Sequence, residues 1–171
     1  MSSVVVKWSD DMDPVFACQS SLMYLIYYTV QIIVYRPFTA RPSEFYSAQN
    51  LHLTDPYSLA ARALRVSTAA ARSIVRVIKA QKTTGTVATA AEFYASNYAA
   101  GQLLLRIWDL KAQKKAQKEK QDKDNFFVYL ADDLQNGSLT KEIDELVADV
   151  YSVMDLYEEA QTRWEFVRPI L

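Results

Sequence analysis

The sequence predicts an all-α fold, a single-domain bundle of about four to six helices covering residues 1–171. Only 3 glycines and 5 prolines interrupt 171 residues, so we expect long helices rather than many short strands. Half of the residues are hydrophobic, which is enough for a sizeable core. Apolar residues recur at steps of three and four along most of the chain, which is the helical period.

The first predicted helix runs from about Pro14 to Arg36. Asp13 suits the position that caps a helix N-terminus, and Pro14 suits the first helical position. Pro37 disfavours helical geometry at the residue before it, so the helix should end at Arg36. Apolar and aromatic side chains extend almost all round this segment. We therefore expect other helices to enclose it.

The turn after this helix, Arg36-Pro37-Phe38, predicts two contacts. Phe38 should fold back onto the bundle. Arg36 should be partly buried and paired with an acid on a neighbouring helix, where such a pair fixes helix register more than it adds stability.

The same helix contains the one candidate membrane span, Val15 to Tyr35. A bilayer requires roughly 20 mostly apolar residues. Polar side chains at Gln19, Thr29 and Gln31 shorten the uninterrupted apolar part. We therefore expect a core helix and no membrane partner.

Two further helices should follow, the second rich in alanine and the third rich in aromatic residues. The second starts where Asp55 caps and Pro56 opens it, and it ends near Gln81. Its alanines permit close approach of a neighbour. The third runs from about Val87 to Gln113. The core face that we expect for the third helix consists of Phe93, Tyr94, Tyr98, Leu103, Leu104, Ile107 and Trp108.

A lysine-rich segment, Lys111 to Asn125, separates this helix from the last one. High charge and few apolar anchors predict a mobile, solvated loop. A nucleic-acid or nuclear-import patch is the alternative, which the interleaved acids weaken. Asn136-Gly137 then predicts a turn, and the last helix should run from Ser138 or Thr140 to about Arg168, before Pro169.

Catalytic signals are few, and we expect a protein that is not an enzyme and holds no cofactor in this chain. A single cysteine, Cys18, and a single histidine, His52, exclude an internal disulfide and a zinc site made by this chain alone. A weaker alternative is a magnesium-dependent prenyl-diphosphate enzyme with carboxylates from residues 10–13 and 136–144. We favour capping acids at the first segment and a turn at the second.

Several motifs occur in a characteristic order along the chain. Trp8 precedes an aromatic-rich helix that ends in Tyr35-Arg36-Pro37-Phe38, and a helix with Ser67, Ala70, Ala71 and Ile74 follows. Trp164 lies in the predicted last helix. This order resembles the C-terminal half of the fungal-specific transcription factor domain, the middle homology region of factors with a binuclear zinc cluster. Those proteins typically read His-Arg-Pro-Phe and then Cys-x-x-Ala-Ala. Here Tyr35 replaces the histidine and Ser67 replaces the cysteine.

The resemblance implies a regulatory, protein-interacting helical domain of a fungal-type regulator of RNA polymerase II genes, located in the nucleus. Its partners would be the transcription machinery or other domains of the same regulator. Zinc is expected only in a separate DNA-binding module, since one cysteine cannot build a six-cysteine cluster. The alternative is a small-molecule-sensing domain with a cavity beside Tyr24, Tyr28 and Trp108.

The charge of the chain generates a first prediction, that it binds DNA weakly and without sequence preference. The formal net charge is −1, and acids dilute the lysines of residues 111–123, so few cations are free to neutralise phosphates. Fluorescence anisotropy with two unrelated duplexes at physiological salt measures this. Tight binding to one duplex over the other would contradict the prediction.

Overall fold

The protein is a bundle of four long helices in a computed structural model that describes residues 13–39, 58–83, 90–121 and 129–163. The helices are α1 (Pro14–Tyr35), α2 (Leu59–Thr83), α3 (Ala90–Gln121) and α4 (Tyr129–Arg163), with a 3₁₀ turn at Arg36–Phe38. The described residues contain no strand, so the predicted all-α bundle is confirmed.

Helix α1 begins and ends where the sequence predicts. The Asp13 side chain accepts a hydrogen bond from the Val15 amide at 2.8 Å, and Pro14 is the first helical residue. Pro37 ends the α-helical geometry, and the chain tightens into the 3₁₀ turn. The local rules of capping and proline geometry therefore determine both ends of this helix.

Helix α2 begins at Leu59, later than the sequence suggests. The Ser58 hydroxyl accepts a hydrogen bond from the Ala61 amide at 3.1 Å, so Ser58 caps the helix. The predicted cap, Asp55 with Pro56, lies outside the described residues. A serine that precedes an alanine-rich run carries the same capping signal as an aspartate.

Two predicted loop segments are helical. Helix α3 continues through Gln121, so residues 111–121 are not the loop that their charge predicts. Helix α4 runs through Asn136 and Gly137 without a turn. Glycine costs only about 1 kcal/mol in a helix, less than the packing of the helix as a whole can supply. The predicted mobility of the lysine-rich segment stays a prediction, and residues 122–128 lie outside the described ranges.

Helix α2 is the centre of the bundle because it packs against α1, α3 and α4. Helix α1 also packs on α3, while α4 packs chiefly on α3. One continuous core links all four helices. Its largest fully buried side chains are Leu25, Ile32, Ile74, Leu103, Leu110 and Leu146.

Helix α4 is joined to its neighbours by polar contacts at the border of this core. The Tyr157 hydroxyl donates to the Phe93 carbonyl of α3 at 3.2 Å and lies 3.0 Å from Ser96 Oγ. Arg72 of α2 contacts both Glu145 (3.0 Å) and Asp149 (3.2 Å). Further ion pairs join Lys79 to Asp149 at 3.1 Å, Lys82 to Glu159 at 3.3 Å and Arg106 to Glu142 at 3.0 Å.

The continuous course of α4 generates a second prediction. Gly137→Ala should stabilise the protein by up to about 1 kcal/mol, because alanine has the higher helix propensity and a β-carbon at this exposed site meets no atom within 4 Å. Gly101→Ala, equally free of contacts inside α3, is the matched control. Urea unfolding measures both variants. Stabilisation by Gly101→Ala together with destabilisation by Gly137→Ala would indicate a turn at Asn136-Gly137.

Candidate interaction surface

Helix α1 packs on the bundle through a narrow stripe of mostly small side chains. The buried residues of α1 are Ala17, Ser21, Leu25, Thr29 and Ile32. Two of them are polar, but their hydroxyls donate to carbonyls of their own helix, Ser21 to Ala17 at 2.8 Å and Thr29 to Leu25 at 2.7 Å. Neither hydroxyl is left without a partner in the interior, so the stripe tolerates close contact with its neighbours.

The opposite side of α1 is apolar and exposed. Nine large side chains there are exposed: Val15, Phe16, Leu22, Met23, Ile26, Tyr27, Val30, Ile33 and Val34. At 100° per residue they fall within an arc of about 140° on one side of the helix. Their exposed fractions correspond to on the order of 900 Å² of surface, more than the largest apolar patch of a typical monomer. We call these nine residues the outer face of α1.

The outer face corrects the expectation that other helices enclose α1. Leu22, Ile26 and Ile33, which the helical period suggests for the core, belong to it. The buried stripe instead runs along the side of the helix that carries Ala17 and Ser21. Large apolar residues usually mark the buried side of a helix, and here they mark the exposed side. An exposed apolar surface of this size is a candidate interaction surface.

Length and composition alone would let this part of the chain cross a bilayer. The 25 residues Pro14–Phe38 meet that criterion, with 28% of the most apolar window buried inside the protein. The criterion is weak evidence for a single helix, because a core helix and a signal sequence also meet it. The inner stripe of α1 is occupied by α2 and α3, so lipid could contact this helix on one side only. The absence of a membrane partner stays a prediction.

An aromatic cluster borders the outer face. Tyr24 and Tyr28 stack with ring centroids 6.3 Å apart, and Tyr27 meets Tyr28 edge-on at 5.2 Å. The Gln31 side-chain amide donates to the Tyr27 hydroxyl at 2.9 Å. Trp108, which the sensing alternative places beside these rings, is 45% exposed. On α3, Tyr94, Leu104 and Trp108 are likewise exposed rather than part of the expected core face.

The residues of the family motif divide into three groups. Ala70 and Ala71 are fully buried in the core, and Tyr35 is half-buried. Arg36 and Pro37 are exposed, and Phe38 is 48% exposed on the turn that packs against α1 and α2. Trp8 and Trp164 lie outside the described residues.

The exposure of Arg36 corrects the expectation of a buried ion pair. No acid among the described residues forms an ion pair with it. Arg36 begins the 3₁₀ turn that follows α1, and its side chain is exposed to water.

The alternative magnesium site would draw its carboxylates from residues 10–13 and 136–144. Asp13 caps α1, and Glu142 pairs with Arg106, so both carboxylates have structural partners. Asp10 and Asp11 lie outside the described residues. Among the residues that the structure describes, no three His, Cys, Asp or Glu side chains come together to hold a metal ion.

Comparisons of the chain with protein-family models, with curated proteins and with solved structures found no match. The resemblance to the fungal transcription factor domain therefore stays a prediction. The exposed side of α1 and the packing of the bundle around it are the structural features that bear on function.

The half-open position of Phe38 generates a third prediction. Full burial of a phenylalanine would make Phe38→Ala cost about 3–5 kcal/mol, whereas half burial reduces the expected loss of unfolding free energy to about 1–2 kcal/mol. Phe16→Ala on the outer face is the matched control and should cost less.

Arg36→Met should be close to neutral, because the guanidinium is solvated. Chemical denaturation measures all three. If Arg36→Met lowered the unfolding free energy by more than about 3 kcal/mol, Arg36 would have to form a buried ion pair after all.

Proposed function

We propose that this protein is a helical protein-interaction domain that binds its partner through the outer face of α1. The observation that supports this most strongly is the exposure of nine large apolar side chains on one side of a helix. Exposing this surface to water is unfavourable by about 25 cal/mol for each Å². A partner that covers it would recover much of that free energy.

The composition of α1 also favours a protein partner. Residues 14–35 contain no charged side chain, so no ion must be desolvated when the outer face is covered. Aromatic and methionine side chains, which are enriched at protein interfaces, occur at Phe16, Met23 and Tyr27. The rest of the bundle holds α1 rigidly, which lowers the entropic cost of binding.

The biological setting that we propose follows from the sequence resemblance. The domain would act in the nucleus as the regulatory part of a fungal-type transcription regulator, with no catalytic activity. Its partners would be the transcription machinery or other domains of the same regulator, and zinc and DNA would be bound by a separate module. The buried pair Ala70 and Ala71 at the centre of the bundle is compatible with the structural role that the resemblance gives them.

A reporter assay gives the fourth prediction. The chain is fused to an already dimeric DNA-binding module, and transcription from its operator is measured against the module alone. The fusion should change reporter output. Met23→Glu should abolish the change, because it places a charge at a side chain that is 69% exposed on the outer face.

Met154→Glu is the matched control, since Met154 is 49% exposed on α4 and lies outside the outer face. It should leave the reporter output of the fusion intact. Circular dichroism checks that both variants keep their helical content. Equal reporter output from the module alone and from all fusions would contradict the proposed regulatory role.

A further inference from the structure

We propose that the outer face of α1 binds a second copy of this chain, with the two α1 helices antiparallel about a two-fold axis. This inference rests on the proposed function in one respect only, that the outer face of α1 binds protein. It specifies the partner and the register of the two helices.

The spacing of the exposed side chains is the first step of the argument. One row of exposed residues runs along the outer face at steps of three and four: Phe16, Gln19, Met23, Ile26, Val30 and Ile33. All of them are apolar except Gln19. Alternating steps of three and four are the seven-residue repeat by which two helices pack with knobs into holes. Lipid does not require this repeat. We call these six residues the seam.

The antiparallel register follows from the order of residues in the seam. In an antiparallel pair, the first and fourth positions of the repeat face each other across the axis. Phe16 then faces Ile33 of the second copy, and Met23 faces Ile26. Gln19, the one polar residue of the seam, faces Val30 between these two pairs. Phe16, Met23, Ile26 and Ile33 therefore each meet another apolar side chain in one common register.

The charges at the ends of α1 agree with the same register. Asp13 precedes the helix, Arg36 follows it, and both are exposed. The register that pairs Phe16 with Ile33 brings the Asp13 end of one helix level with the Arg36 end of the other. Opposite charges then lie level with each other at both ends of the pair, and the two helix dipoles run in opposite directions. A parallel pair would instead bring Asp13 close to Asp13 and Arg36 close to Arg36.

The available area suits a dimer. A stable interface of standard size buries about 800 Å² on each partner. The outer face exposes on the order of 900 Å². A helix that lies on a membrane usually carries lysine or arginine along its polar face, whereas α1 has no charged residue along its length. A second copy therefore fits this surface better than lipid does.

Sedimentation equilibrium of the full chain at roughly 20 µM tests the partner. The expected mass is twice the 19.5 kDa of one chain. Met23→Glu should raise the dissociation constant about a hundredfold or more, since the two-fold axis places the new charge in the interface twice. Met154→Glu should leave the dimer unchanged. A monomeric wild-type chain, or a Met23→Glu variant that remains dimeric, overturns the inference.

Disulfide trapping tests the register. In a Cys18→Ser background, Phe16→Cys and Ile33→Cys are made as two separate proteins and oxidised alone and as a mixture. The two positions lie about 25 Å apart on one helix, and a disulfide requires Cα atoms within about 7 Å. Only the mixture should form a covalent dimer. Covalent dimers in each protein oxidised alone would show a parallel pair and overturn the register.

The remaining outcomes separate this inference from the proposed function. A monomeric chain whose Met23→Glu variant loses the reporter effect would leave the protein-binding role standing and exclude self-association. A monomer that floats with vesicles of phosphatidylcholine and phosphatidylserine, and stops doing so as Met23→Glu, would assign the outer face to lipid. A dimer without any reporter effect would support this inference and contradict the regulatory role.

Discussion

The close approach of other helices to α2 is the constraint on which the rest of the bundle depends. The sides of α2 that meet its neighbours carry small buried residues, among them Ala63, Ser67, Ala70 and Ala71. The Ser67 hydroxyl donates to the Ala63 carbonyl at 2.8 Å, so it does not require a partner from another helix. Small side chains let helix axes approach closely and increase dispersion contacts along the backbone. Both α1 and α3 can therefore pack on the same helix.

This constraint decides which side of α1 remains exposed. Because the side chains on this side of α2 are small, the closest packing is with other small side chains. Ala17, Ser21 and Thr29 of α1 are small enough. Leu25 and Ile32 are large side chains of α1 that fit into the core. The nine large side chains of the outer face lie on the opposite side, where they are unfavourable for the isolated chain and available for binding. The same packing rule that builds the core thus produces the candidate interaction surface.

Helix α4 is positioned by a different kind of contact. Its apolar residues Leu146, Val153 and Leu156 complete the core. Its acidic side chains meet the basic edge of α2, with Asp149 accepting from both Arg72 and Lys79. These ion pairs are partly exposed, so each contributes little stability in water. Their value lies in selecting one alignment of α4 among several that would bury the same apolar residues.

The sequence by itself determined the fold class, the ends of α1 and the alanine-lined contact, because helical periodicity, capping and proline geometry act over a few neighbouring residues. It did not determine that residues 111–121 and Asn136-Gly137 are helical. The Lys, Ala, Gln and Glu residues of the first segment are strong helix formers despite their charge, and neighbouring turns can offset the cost of one glycine. Only the tertiary structure decided which side of α1 is buried. Periodicity shows that a helix has apolar sides, but the shape of the neighbouring helices decides whether the large or the small side chains fit between them.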